Sequence, residues 1–429
     1  MCSKLNSQAR VKDRISELPD AVLCHILFFI PTKYSVRTSI LSRRWKSMWA
    51  SVPNLDFEFE QMSTTWKEEY MSNYVGFLMF VEMVLSLHFS RIVGWICTAI
   101  RHNVVELDLC VYTDNIVCPT FELPQCVFMC KTLVVLKVKS NCITYASPTS
   151  GCFPSLKFLD VKVEYPEDDS MGKLFSCCPV LEDLSINATV RDLLVLMFKV
   201  SAPELKRLRM TFVSAYLVAK DLEYDISTNA PKLENLDIKQ DCLSIYLFEN
   251  FKYLVKGSVD LYSHYEQEWN DASERTTALL EAFSNVKCLS ISAHFECCLP
   301  AFDQLTQLKL VLYDCYRWDL LTQLLKKSPN LESLVIEHKE DYGEHDRYLR
   351  NVLYSEHRWR TPESVPICLI SHLKTITIRG FEGYPHVKKV AKYLLKNSKV
   401  LTKMTVYNDE LYKALMLERG SRTCWVELV

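Results

Sequence analysis

The chain has 429 residues, 49% hydrophobic and 24% charged, and its 50 lysines and arginines against 52 aspartates and glutamates leave a formal net charge of −2. This usage excludes wholesale disorder, which needs low hydrophobicity and high net charge, and only 9 glycines exclude a collagen-like or glycine-linker design. The balanced charge also argues against a dedicated nucleic-acid binder, which carries a basic domain or stripe.

At about 150 residues per domain, the length accommodates two or three domains or one long repeat array. The opening residues MCSKLNSQARVKDR lack the apolar core of a secretory signal. The 18 cysteines are therefore read as reduced thiols, and the expected compartment is the cytoplasm or nucleus.

Residues 1–12 are expected to be a flexible start, and 13–55 a small helical module. Asp20 reads as a helix cap after Leu18-Pro19. Val22, Leu23, Ile26, Leu27 and Ile30 recur at helical spacing up to Pro31. Val36, Ile40, Leu41, Trp45 and Trp49 continue the apolar face. Some forty residues cannot bury so many large apolar side chains internally, so the surplus must meet the rest of the chain or a partner. The basic run Ser42-Arg43-Arg44-Trp45-Lys46 reads as a solvated helix face.

Tyr74–Ile100 is apolar, but Glu82, His88 and Arg91 interrupt it, so no membrane span is expected. It reads as two helices, Tyr74–His88 and Ile92–Arg101, with a break between them.

From residue 104 onward the pattern apolar-x-x-apolar-x-apolar recurs about twelve times. The copies begin at Val104, Leu133, Leu156, Leu181, Leu205, Leu233, Leu254, Val286, Leu305, Leu331, Leu373 and Leu401. The spacing, irregular around 25 residues, is that of a leucine-rich repeat. In each copy the last two apolar residues alternate on a strand and point inward, and the residues between them point outward. A proline stands two residues before the first anchor in five copies, at Pro154, Pro179, Pro203, Pro231 and Pro329. Stacked strands should align the outward positions in columns. One column runs Phe158, Asp183, Arg207, Asn235, Cys288, Gln307, Ser333. The next runs Asp160, Ser185, Arg209, Asp237, Ser290, Lys309, Val335. Their chemical variety beside uniform aliphatic anchors marks a candidate binding face, with Phe158, Asp160, Asp183, Arg207, Arg209 and Asp237 as target-binding candidates.

Toward the C-terminus Trp359–Leu369, Gly380-Phe381-Glu382-Gly383 and an amphipathic helix over Val390–Ser398 form a distinctive order. No phosphate-cradling glycine loop, nucleophile elbow or H-E-x-x-H is present. Cys126 and Cys130, with Cys110 and Cys118, lack paired C-x-x-C spacing, and the acidic, histidine-bearing stretch 337–346 reads as a solvated loop. No cofactor or metal is expected, and no enzyme.

Leu18-Pro19, the Ile26/Ile30-Pro31 spacing, Val36 and Leu41-Ser42-Arg43-Arg44-Trp45 resemble an F-box. Residues 355–429 resemble the FBD module that follows F-box and leucine-rich repeats in plants. The whole is similar to the plant F-box/leucine-rich-repeat/FBD family. The resemblance implies an α/β chain: a three-helix F-box (13–55), an irregular leucine-rich-repeat solenoid with a parallel sheet lined by helices (56–354), and an FBD cap (355–429). It also implies that Leu18, Pro19, Ile26, Ile30, Pro31, Val36, Ile40 and Trp45 contact the Skp-type adaptor of a cullin–RING ubiquitin ligase, and that the solenoid holds a target protein. In that family a strand separates the two helices that correspond to Tyr74–His88 and Ile92–Arg101, so one repeat strand is expected to be missing. An alternative is a small-molecule sensor or a scaffold outside a ligase, with the stretch between Ile238 and Val286 as the insertion that would house a ligand.

Overall fold

The computed structural model describes residues 15, 17–49, 52, 67–111, 121–140, 143–144, 152–164, 174–190, 196–214, 224–240, 245–249, 251–261, 269–293, 298–312, 318–339, 359–381, 385–416 and 424–429. They form two compact units, residues 1–98 with 113–122, and residues 99–112 with 123–429.

The first unit is helical apart from the two-residue strand Phe121–Glu122. Helices Asp20–Phe28 and Thr32–Arg37, a 3₁₀ turn Thr38–Ile40 and a short helix Trp45–Met48 precede a long helix that begins at Lys67. The first two helices start behind Pro19 and Pro31, whose fixed φ suits a helix entry. Asp20 is therefore not the cap. It lies in the first turn, where a carboxylate suits the helix dipole, and it accepts a 2.8 Å hydrogen bond from Arg44 Nε. Buried Ser35 donates to the Leu27 and Ile30 carbonyls at 3.3 and 3.1 Å, closing the end of the first helix. Leu23, Leu27, Trp45, Met48, Trp49, Val52 and Val84 form the core, with Leu18, Cys24, Ile30, Val36 and Phe80 packed against it.

The expected break at His88–Arg91 is absent, because one helix runs from Lys67 to Arg101. His88-Phe89-Ser90-Arg91 contains neither glycine nor proline, and nothing local stops the hydrogen-bond ladder. The continuous helix leaves no place for a strand between its halves.

In the second unit, thirteen strands pair in chain order into one parallel sheet: Glu106–Val111, Val135–Ser140, Phe158–Glu164, Asp183–Val190, Arg207–Ser214, Asn235–Gln240, Lys256–Leu261, Cys288–Ala293, Gln307–Leu312, Ser333–His338, Thr375–Arg379, Lys403–Val406 and Trp425–Leu428. The first twelve are the twelve repeat copies. The thirteenth lies outside the pattern. The register is unbroken, so Leu184, Leu208, Leu236, Gly257, Leu289, Leu308 and Leu334 share one column. Ile186, Met210, Ile238, Val259, Ile291, Leu310 and Ile336 share the next, and all seven are at most 1% exposed. Each such aliphatic burial is worth about 1.5–3 kcal/mol.

Two backbone devices repeat with the strands. Each of the five prolines occupies the second position of a turn, in which the carbonyl of the residue before it accepts the anchor's N–H. The pairs are Phe153/Leu156, Cys178/Leu181, Ala202/Leu205, Ala230/Leu233 and Ser328/Leu331, and proline's fixed φ favours this position. The carbonyl just before or at the edge of one strand then accepts two N–H groups of the next copy. Lys157 accepts from Glu182 and Asp183, Glu182 from Lys206 and Arg207, and Lys206 from Glu234 and Asn235.

The return segments are not all helical. Helices Trp269–Glu281, Trp318–Lys327, Ile367–Ser371, Pro385–Asn397 and Asp409–Met416 serve the later copies. In the middle, Leu196–Ser201, Tyr224–Asn229 and Ile245–Glu249 form a second parallel sheet of three strands. The return side of the repeats thus carries strands as well as helices. These segments carry β-branched and aromatic residues, with Ile226 and Thr228 buried on one face, which fits a pleated half-buried surface. The described residues between Ile238 and Val286 carry the Lys256–Leu261 strand, the Ile245–Glu249 strand and the helix Trp269–Glu281.

The distinctive C-terminal residues are packing elements. Trp318 stacks on Phe381 at 5.6 Å and meets Trp359 edge-on at 6.5 Å, and Trp359 packs on Tyr393 at 5.5 Å. Gly380 has φ +82°, and a Cβ there would lie 2.3 Å from the His338 carbonyl oxygen, so the chain approaches closely where only glycine fits.

Gly257 is the exception in its aliphatic column because the ring of fully buried Phe283 takes the space. A Cβ would stand 2.2 Å from Phe283 Cδ1. Gly257→Ala is expected to lower stability by about 1–3 kcal/mol through overpacking, read as a lower urea midpoint at unchanged slope.

Candidate protein-binding surfaces

Two surfaces carry the candidate residues. The first is apolar and lies on the helical unit. Ile40 is 88% exposed and Phe29 71%, and Val22, Ile26, Phe28, Tyr34 and Leu41 are also exposed. His25, Phe28 and Phe29 form an edge-packed aromatic group, with Phe29 5.1 Å from His25 and 5.3 Å from Phe28. Of the eight adaptor candidates, Pro19, Ile26 and Ile40 are exposed, while Leu18, Ile30, Pro31 and Val36 are half-buried. Trp45 is 5% exposed, inside the core. That burial corrects its assignment to a contact surface: its ring supports the helices that carry the exposed residues. Sequence reasoning passed over Phe29 and Tyr34, whose only signal is a large apolar or aromatic side chain off the core face of its helix.

The second surface is the outward face of the thirteen-stranded sheet. The register places Phe158, Asp183, Arg207 and Asn235 side by side, then Lys256, Cys288, Gln307 and Ser333. The neighbouring column runs Asp160, Ser185, Arg209, Asp237, Ser258, Ser290, Lys309, Val335 by the same pairings. Both columns are as the repeat spacing implies, with Lys256 and Ser258 filling the place of the weak seventh copy. Arg207, Arg209, Asp237 and Lys309 border a depression of about 520 Å³ over the fifth to tenth strands. Phe158 and Asp160 lie on the third strand and are not among its lining residues.

Asp183 is corrected in role. It is only 5% exposed and instead anchors both arginines, accepting from Arg207 Nε at 2.7 Å and from an Arg209 Nη at 3.3 Å. The hydrogen bond to Asp183 raises the Arg207 pKa further. Farther along, Glu337 holds Lys309 at 2.6 Å and Arg379 at 3.0 Å. Burial pushes the Glu337 carboxyl up, but those two hydrogen bonds outweigh it and the net pKa is lowered. Along the edge where the strands begin, Glu182 bridges Lys206 at 2.8 Å and Lys157 at 3.0 Å.

No group of three or more histidine, cysteine, aspartate or glutamate side chains among the described residues could hold a metal ion. The twelve described cysteines are free thiols. Burial pushes the Cys178 thiol up to about 12 and Cys368 to about 11, so neither is a thiolate at neutral pH. No described helix is long and apolar enough to cross a membrane.

Comparison with known proteins follows these divisions. The F-box domain family matches residues 15–57, the LRR repeats of FBD-associated F-box protein At5g56370 match 92–249, and the FBD family matches 361–406. The F-box/FBD/LRR-repeat protein At5g56420 of Arabidopsis thaliana is 31% identical over 96% of this chain and 98% of its own length. The FBD-associated F-box protein At5g60610 of the same plant is 30% identical over 91% and 98%. A third, the F-box/LRR-repeat protein 13, is 29% identical over 94% and 91%. The FBD match covers the eleventh and twelfth strands, so that module continues the repeat sheet.

The hydrogen bonds from Lys206 and Lys157 hold Glu182 down to about 2, from a usual value near 4.5. A carboxylate ionised more easily in the folded chain stabilises it fully above pH 4.5, and this is lost as pH falls toward 2. Glu182→Gln is therefore expected to lower the melting temperature slightly at neutral pH, to leave it nearly unchanged near pH 2, and so to flatten its dependence on pH in that window, as followed by circular dichroism.

Proposed function

From the premise that the chain belongs to the plant F-box/FBD/LRR-repeat family, we propose that it is the substrate-receptor subunit of a Skp–cullin–F-box ubiquitin ligase. The F-box holds the Skp-type adaptor and through it the cullin–RING assembly. The repeat face holds a target protein, and the FBD strands close the array. The observation that carries this reading is the exposed apolar group Pro19, Ile26, Phe29 and Ile40, set on a module whose own core is already filled by Leu23, Leu27, Trp45 and Trp49. Such a group wants a partner surface.

The chain acts without catalysis of its own. Holding a target beside a ubiquitin-charged enzyme turns an encounter between separate molecules into a local one, and the gain is effective concentration. Nothing in this mechanism needs a cofactor, nucleic acid or membrane, and the place of action is the cytoplasm or nucleus. Arg207 and Arg209 are the strongest target contacts, since arginine is enriched among the residues that dominate interface energy.

The two surfaces should separate genetically. Ile26→Ala with Ile40→Ala is expected to weaken adaptor capture by about 2 kcal/mol or more, the size of a hot-spot loss, while the target stays bound. Arg207→Ala with Arg209→Ala is expected to release the target and keep the adaptor. Quantitative co-precipitation followed by mass spectrometry reads both. Undiminished adaptor capture by the first variant would sink the receptor reading.

A further inference from the structure

The depression on the sheet face has a definite charge pattern. Arg207 and Arg209 stand on the fifth strand, Lys256 on the seventh and Lys309 on the ninth, and Asp237 is the carboxylate in the lining. The arginines are held from behind. Arg207 spends only Nε on Asp183, and Arg209 one Nη, so the other guanidinium N–H groups have no protein partner among the described residues. About half of each side chain is exposed. Lys309 is held in the same way by Glu337. Exposed Lys256 has no ion-pair partner among the described residues. A guanidinium already fixed by one carboxylate loses little further freedom when a second arrives, and its planar fork suits bidentate capture.

The spacing selects the ligand. Adjacent strands lie about 4.8 Å apart, so two strand steps separate the arginine pair from Lys256 by roughly 9–10 Å, and Lys309, two strands on and one column over, stands roughly 12 Å from Lys256. A peptide extended in the polyproline II conformation rises about 3.1 Å per residue and returns its side chains to one face every third residue, so roughly three residues span the first interval and the flexible lysine stems take up the excess of the second. Between the cations, Asn235, Ser290 and Gln307 offer hydrogen bonds to a peptide backbone. A polynucleotide would want a continuous basic stripe, and this lining is mixed.

We propose that the depression takes an extended acidic segment of the target, lying across the strands with carboxylates at every third position. The first carboxylate meets Arg207 and Arg209, the second Lys256 and the third Lys309. This rests on the receptor reading above and names the chemistry of its target.

The test uses the full-length chain and a fluorescein-labelled nine-residue Gly/Ser peptide with glutamates at positions 2, 5 and 8, measured by anisotropy. Its glutamine counterpart is expected to bind at least about tenfold more weakly, Lys256→Glu to cost the acidic peptide about tenfold, and rising salt to erode the difference. Lys256 is exposed, so the fold of that variant should hold, and its melting temperature verifies this. Acidic and glutamine peptides that bind alike, or neither binding, would overturn the proposal, as would indifference to Lys256→Glu. A single-stranded RNA oligonucleotide that binds more tightly than the acidic peptide and displaces it would also overturn it, reassigning the face to nucleic acid. Adaptor capture is read on the same preparation. Adaptor held with peptides undistinguished removes the acidic segment alone, whereas adaptor lost removes the receptor reading.

Discussion

Parallel pairing without a slip in register is the constraint on which the repeat unit depends. Each strand is only four to eight residues long and could not persist alone. In the second to twelfth copies it is fixed by three buried anchor positions, of which the first precedes the strand and the other two point inward from it. A slip of one residue would turn Leu208 and Met210 outward and Arg209 into the core. That cost keeps the outward residues in columns. The carbonyl that receives two N–H groups from the next copy repeats the same offset in backbone terms, so side-chain packing and backbone hydrogen bonding specify one register.

The binding face follows from this order. Because Asp183, Arg207 and Arg209 occupy neighbouring positions in two columns, one nearly buried carboxylate can anchor two guanidinium groups. Removing Asp183 would leave both arginines more mobile, and a face made of mobile cations is less selective. The pairs are partly exposed and add little to stability. Their effect is orientation.

The helical unit solves a different problem. Its few short helices fill one small core, and the long helix lends Val84 and Phe80 to it. Trp45 and Trp49 complete that core, and what remains apolar faces outward. Burial of the tryptophans and exposure of Ile40 are parts of one arrangement, since a module this small has more apolar surface than it can enclose.

The sequence by itself determined the periodicity. Twelve copies of a six-residue pattern located twelve strands of the sheet, their inward anchors and both outward columns, because a strand's side chains alternate with a period of two whatever surrounds them. It also marked the F-box and FBD segments by motif. Only the tertiary structure decided the rest. Whether Trp45 or Ile40 is the exposed apolar residue depends on which helices meet. The path across His88–Arg91 was settled by a hydrogen-bond ladder with no local stop. The middle returns became a second sheet because Leu196–Ser201, Tyr224–Asn229 and Ile245–Glu249 lie side by side only after the main strands have stacked. The charge on Asp183 was legible from the start. Its burial beneath two arginines was not, because both come from a strand some two dozen residues away.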